Sequence, residues 1–229
     1  MIKTIKQISL IKNLLCQKEG IEKTLLLSCC FSVLLLAVRI LVTGSLMFGF
    51  LAWNLFLACI PYIITRRLSK KERPVFTSMK FISQFLLWLI FIPNSFYIIT
   101  DLFHLDEGPA APQWYNLVLI FSFAWNGLLL GIISLWQMEK LMGQLLAVKW
   151  REIFLYAIML LNGFGIYIGR YLRFNSWDVV ANPFQLTKDI LYLCVHPIRN
   201  TKEWGMIFCF AVLLLLVYQS FKKIGQLVL

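Results

Sequence analysis

Six stretches of the chain stay apolar for roughly the 20 residues that a helix needs to cross a bilayer. They are Thr24 to Val42, Leu46 to Ile64, Phe81 to Ile99, Leu117 to Trp136, Ile153 to Leu172 and Trp204 to Phe221. Their aliphatic residues run on without alternation, whereas a barrel strand would alternate over about 10 residues. The pattern predicts an all-α fold, a polytopic membrane bundle of six transmembrane helices formed as a single domain over residues 1–229. Connections are short except for two, Asp101 to Asn116 and Arg173 to Glu203, which alternation places on the same side. In the second, Asn182 followed by Pro183 reads as a helix start. His196-Pro197 reads as a stop, so a short surface helix is expected near 183–195.

Composition agrees with this reading. Hydrophobic residues make up 60% of the chain and charged residues 14%, with a mean hydropathy of +0.76, which excludes an ordinary water-soluble domain. The net charge of +11 would suggest nucleic acid in a soluble protein. Its distribution gives another explanation. If both termini are cytoplasmic, all of the 22 Lys and Arg lie inside except Arg39, Arg170, Arg173, Lys188, Arg199 and Lys202, as the positive-inside rule requires. This predicts a multi-pass cell-membrane protein with both ends on the cytoplasmic side. Its partners would be the bilayer, anionic lipids at the cytoplasmic face near clusters such as Arg66 to Arg73, and a companion membrane protein, with no nucleic acid. Residues 1–23 form a basic cytoplasmic segment whose Ile2, Ile5, Ile8, Ile11 and Leu14 suit a surface helix, although a spacing of three drifts around the helical wheel. The first apolar run is too long, and lacks the small-residue pattern, to be a cleaved signal.

Six cysteines, of which only Cys194 falls in an outer loop, form no disulfide framework. Glycines four apart, Gly127 with Gly131 and Gly165 with Gly169, leave flat strips where a neighbouring helix can approach. The fourth and fifth spans should therefore touch each other or share a neighbour.

Candidate chemistry gathers where the third and fifth spans end. In "FIPNSFYIITDLFHL", Asn94, Tyr97, Asp101 and His104 follow at intervals of three, four and three, which puts all four on one stripe of an α-helix. Pro93 precedes the stripe and predicts a bent outer half-helix. The fifth span ends with Arg170 and Arg173, three apart, followed by Asn175, Trp177 and Asp178. Arg39, toward the outer end of the first span, lies at a similar depth.

Three functions suit this set. It can be structural, with Asp101, Asp178 and the arginines pairing to tie spans one, three and five together while Trp114, Tyr115 and Trp177 anchor the interface. It can be a ligand or catalytic site: arginines capture phosphate or carboxylate in bidentate fashion, and Asp101 with His104 can handle a proton. An anionic lipid headgroup or lipid-linked envelope precursor would then be the ligand, with Asn94, Tyr97, Asp101, His104, Arg170, Arg173, Asn175 and Asp178 around it. The alternative, in which the cluster is purely structural, is a non-catalytic partner or assembly subunit of an envelope complex. Third comes a transporter, with Asn126 on the path. Asn126 and Asn162 are more often hydrogen-bond partners between helices. With two histidines in the chain, Asp101 and His104 make a poor metal site, and neither a metal nor a cofactor is expected. Phosphate-loop, dinucleotide, HExxH, GxSxG and paired CxxC motifs do not occur.

"PNSFYIITDLFHL", "WYN" at Trp114 to Asn116 and "RYLRFNSWDVVANP" together resemble the bacterial integral-membrane family known as domain of unknown function 1361. The resemblance runs from the second span to the last. It implies a role for Pro93, Asn94, Tyr97, Thr100, Asp101, His104, Trp114, Arg170, Arg173, Asn175, Trp177, Asp178, Asn182 and Pro183, and implies no particular activity. The family usually reads Pro-Asn-Ala-Pro-Tyr and Trp-Tyr-Asp. Here Ser95-Phe96 and Asn116 stand instead, so a carboxylate at position 116 cannot be essential in this chain.

Overall fold

The computed structural model describes residues 2–70, 78–107, 111–174 and 181–228, with side chains described between 20 and 226. The described residues are helical and contain no strand. Seven α-helices follow in order: α1 (Ile2–Thr43), α2 (Gly49–Ser69), α3 (Met79–Tyr97), α4 (Gln113–Met142), α5 (Val148–Arg170), α6 (Pro183–Val195) and α7 (Thr201–Val228). A 3-10 helix, Ile98–His104, continues α3. Six of these segments are long and apolar enough to cross a membrane; the short α6 is the exception. The basic N-terminal stretch is not a separate element, because α1 runs unbroken from Ile2 to Thr43.

Local chemistry explains the ends of these helices. At Gly44 a φ of 65° turns the chain out of α1, and its N–H returns to the Ile40 carbonyl at 2.8 Å, a conformation that costs glycine little. Ser78 caps α3 by accepting from the Phe81 N–H at 3.2 Å. Asn182 stands at the N-cap of α6 with Pro183 behind it, as expected, but its side chain makes no capping bond, and His196 closes the helix.

Leucines, isoleucines and phenylalanines lie exposed on every span, Leu26, Leu86, Phe121 and Leu216 among them. Around a bundle this long and apolar, that surface is the one lipid covers. The interior is held by close packing and by a few buried polar ties. Ser134 of α4 accepts from the Trp88 indole of α3 at 2.9 Å and from the Thr65 hydroxyl of α2 at 3.2 Å. Asn126 of α4 donates to Ser32 of α1 at 2.8 Å and to the Ser28 carbonyl at 3.1 Å, so it does join two helices. Asn162 does not; its amide donates to the Ile158 carbonyl of its own helix.

The two glycine strips have a common neighbour, and it is α3. A Cβ added at Gly127 would lie 2.8 Å from the Ser95 carbonyl oxygen, and one at Gly131 2.8 Å from the Phe96 ring. On the other side, a Cβ at Gly165 would lie 2.5 Å from Pro93 and one at Gly169 3.0 Å from the Tyr97 ring. The segment Pro93 to Ile98 is thus clamped between α4 and α5. Helices α2 and α4 also pack together, α1 lies chiefly on α4, and α7 chiefly on α5.

Candidate functional site

The clamped segment positions the candidate residues, and it does so differently from a uniform α-helix. Helical geometry does not break at Pro93. It passes through to Tyr97 and tightens to a 3-10 helix at Ile98, where three residues complete a turn instead of 3.6. Asn94, Tyr97, Asp101 and His104 therefore do not act as one stripe.

Asn94 and Tyr97 line a cavity of about 410 Å³ between α2, α3, α5 and α6. Its walls are apolar, formed by Leu57, Leu89, Phe164, Ile168, Leu186 and Ile190 among others, and Pro93, Gly165 and Gly169 form part of the lining. The glycines that let α5 approach α3 thus also shape this space. A third polar side chain, Asn54 of α2, completes the polar part of the lining. Sequence reasoning missed it, because a single asparagine in an apolar run carries no mark of its partner.

Asp101 lies behind Asn54. It is 1% exposed and accepts a hydrogen bond of 2.9 Å from the Asn54 amide. Among the described residues it forms no ion pair with an arginine. The expected network of Asp101 with the arginines is therefore not what the structure shows: Arg39 and Arg170 have other partners, and Arg173 is exposed. Arg39 donates through Nε to Asn116 at 3.0 Å and stacks over the Phe48 ring at 4.2 Å. Arg170 directs Nη1 to the Nε2 of His104 at 2.8 Å and covers the Phe103 ring at 5.0 Å.

The shared face of Arg170 and Arg173 also fails to form. Helix α5 ends at Arg170 with Tyr171 as its cap, and Arg173 is exposed in a left-handed backbone conformation with φ of 58°. That conformation is uncommon outside glycine. It folds the chain back so that the Phe174 N–H reaches the Ile168 carbonyl at 3.3 Å, and Phe174 enters the cavity lining. Asn175, Trp177 and Asp178 lie outside the described residues.

His104 connects two charged groups. Its Nε2 faces Arg170, and its Nδ1 lies 2.7 Å from Glu107. A guanidinium can only donate, so Nε2 must present its lone pair and the ring proton belongs on Nδ1, directed at the carboxylate. Phe50 of α2 flanks the imidazole at a ring distance of 5.1 Å. Asp101 and His104, three residues apart, thus serve different neighbours. Among the described residues no three His, Cys, Asp or Glu side chains gather where they could hold a metal.

Trp114 is exposed, with its ring edge-on to Tyr115 at 5.6 Å, a position suited to an interfacial aromatic. Tyr115 is more than an anchor, because its hydroxyl donates to the Leu35 carbonyl of α1 at 2.8 Å.

Searches of the curated proteins and of the solved structures find no match. A family model described as protein of unknown function (DUF1361) matches residues 53–217. The match begins one residue before Asn54 and takes in every residue that lines the cavity. It spans well over half of the 229 residues, and the chain therefore belongs to the DUF1361 family.

Proposed function

We propose that the cavity between α2, α3, α5 and α6 holds a lipid or lipid-linked molecule at the outer face of a bacterial cytoplasmic membrane. The apolar part of the ligand lies against Leu57, Leu89 and Phe164, and its polar part meets Asn54, Asn94 and Tyr97. Arg170 and the exposed Arg173 serve an anionic group at the rim. The observation that carries this reading is the cavity itself: about 410 Å³, mostly apolar, with three polar side chains from two adjacent helices. Volume and lining match the usual small-molecule site of a few hundred cubic ångströms with few, placed polar groups.

Transport finds less support. A path would have to continue from Asn94 toward the far end of α3, where Phe81, Trp88, Leu68, Leu135 and Met138 pack as buried core.

The test is lipid analysis of purified protein. Asn94→Ala removes a polar contact, and Leu161→Trp places a bulky ring at the cavity wall. Both variants should keep the wild-type melting temperature in detergent and lose a lipid that co-purifies with the wild type. Unchanged co-purifying lipid in both variants would refute the reading.

A further inference from the structure

A second cavity, of about 420 Å³, opens at the opposite end of the bundle, between the last turn of α4, the first turns of α5 and the end of α7. No candidate motif drew attention to it. Its charged lining residues are Arg151, Lys222 and Lys223 against Glu139 and Glu152, so cations exceed carboxylates. Glu139, nearly buried, is already engaged. Lys222 Nζ lies 2.6 Å from one of its oxygens, and the Tyr218 hydroxyl donates to the other.

Arg151 makes only a long ion pair here. Its Nη2 is 3.9 Å from Glu139, beyond hydrogen-bond reach, and its Nε is buried without a partner. Lys223 is exposed and has no partner among the described residues. Gly143 lets the guanidinium lie close to the turn after α4, since a Cβ there would be 3.1 Å from Arg151 Cζ. A planar fork of donors held in place, with two ammonium groups beside it, is the chemistry that captures a phosphate.

The level of the cavity identifies its surroundings. Trp136, Trp150 and Tyr156 are exposed around this end of the bundle, and Lys140 lies over the Trp136 ring at 5.6 Å. Exposed aromatics at the ends of apolar spans mark the headgroup region of a bilayer. We propose that this second cavity is a binding site for a phosphate-bearing anion, with Arg151 and Lys223 as its principal contacts and the headgroup of an anionic phospholipid as its source.

The experiment is native mass spectrometry on the purified full chain with phosphatidylglycerol and phosphatidylcholine of identical acyl composition, and separately with inorganic phosphate. Wild-type protein should retain phosphatidylglycerol about tenfold over phosphatidylcholine, the scale of one or two charge-assisted contacts. Arg151→Gln and Lys223→Gln should each reduce that preference several-fold with unchanged melting. Lys70→Gln, which removes an exposed lysine outside this cavity, should leave it intact. Displacement of phosphatidylglycerol by inorganic phosphate in the wild type alone would keep the anion site and assign it to a soluble ligand. No lipid preference, a preference that survives both cavity variants, or an equal loss in Lys70→Gln would overturn the proposal.

Discussion

The side-chain amide of Asn54 donates to the carboxylate of Asp101 at 2.9 Å, joining α2 to the 3-10 continuation of α3 at the wall of the larger cavity. This is the one hydrogen bond of the Asp101 side chain among the described residues. Asn54→Leu would leave a buried carboxylate without its donor, at a cost of about 1–3 kcal/mol. Asp101→Asn keeps an oxygen that can accept the same N–H, so its effect on stability should be small. Thermal melts of the two variants in one detergent check this. A wild-type melting point for Asn54→Leu would mean that the contact does not hold Asp101 in place.

Glycine substitutions should separate into two groups. Gly163→Ala places a Cβ against the backbone carbonyl of Ile207 on α7, and Gly127→Ala places one 2.8 Å from the Ser95 carbonyl. Backbone cannot step aside as a side chain can, so each should cost about 1–3 kcal/mol. Gly205→Ala and Gly20→Ala meet nothing within 4 Å, so both should melt at or above the wild type, because alanine favours a helix by roughly 0.8–1 kcal/mol over glycine. Melting of Gly127→Ala equal to that of Gly205→Ala and Gly20→Ala would remove the clamp from the account of the fold.

What the residues disclosed in advance follows physical rules of different range. Membrane spans are legible because about 20 consecutive apolar residues have few other stable uses, and α6 was legible because Asn182-Pro183 and His196-Pro197 bracket it. The importance of Gly127, Gly131, Gly165 and Gly169 was visible from spacing, but the helix they receive was not; α3 is their partner because its Pro93–Ile98 segment fits both strips. A constant helical period puts Asn94 to His104 on one stripe. The change to a 3-10 helix at Ile98 altered that period, sending Asp101 to Asn54 and His104 to Arg170. Contacts between distant spans, such as Tyr218 with Glu139 or Trp88 with Ser134, leave no trace in local pattern. They depend on rotations of whole helices about their axes.

Arg39 is 2% exposed, and its Nη1 is buried without a hydrogen-bond partner, while its Nε is satisfied by a neutral amide, Asn116. Asn116→Asp is nearly isosteric and would turn a contact in which only the guanidinium is charged into an ion pair of opposite charges. The variant should gain about 1 kcal/mol, read as a higher melting temperature in the same detergent. A lower melting temperature would show that the buried arginine is balanced by something other than residue 116.

His104 provides a test of the site geometry that does not depend on ligand or activity. Arg170 reaches Nε2 at 2.8 Å and Glu107 reaches Nδ1 at 2.7 Å, an arrangement that admits one neutral tautomer, with the proton on Nδ1. The chain has two histidines, so nitrogen-15 spectra of protein labelled at histidine can be assigned with one His196→Gln control. The His104 ring should show a protonated Nδ1 and an unprotonated Nε2. In Arg170→Lys the charge remains, but the planar fork and its stacking on Phe103 are lost, so the two tautomers should become mixed. A wild-type ring protonated at Nε2 would contradict the Arg170 contact. An Arg170→Lys spectrum identical to the wild type would show that Glu107 alone orients the imidazole.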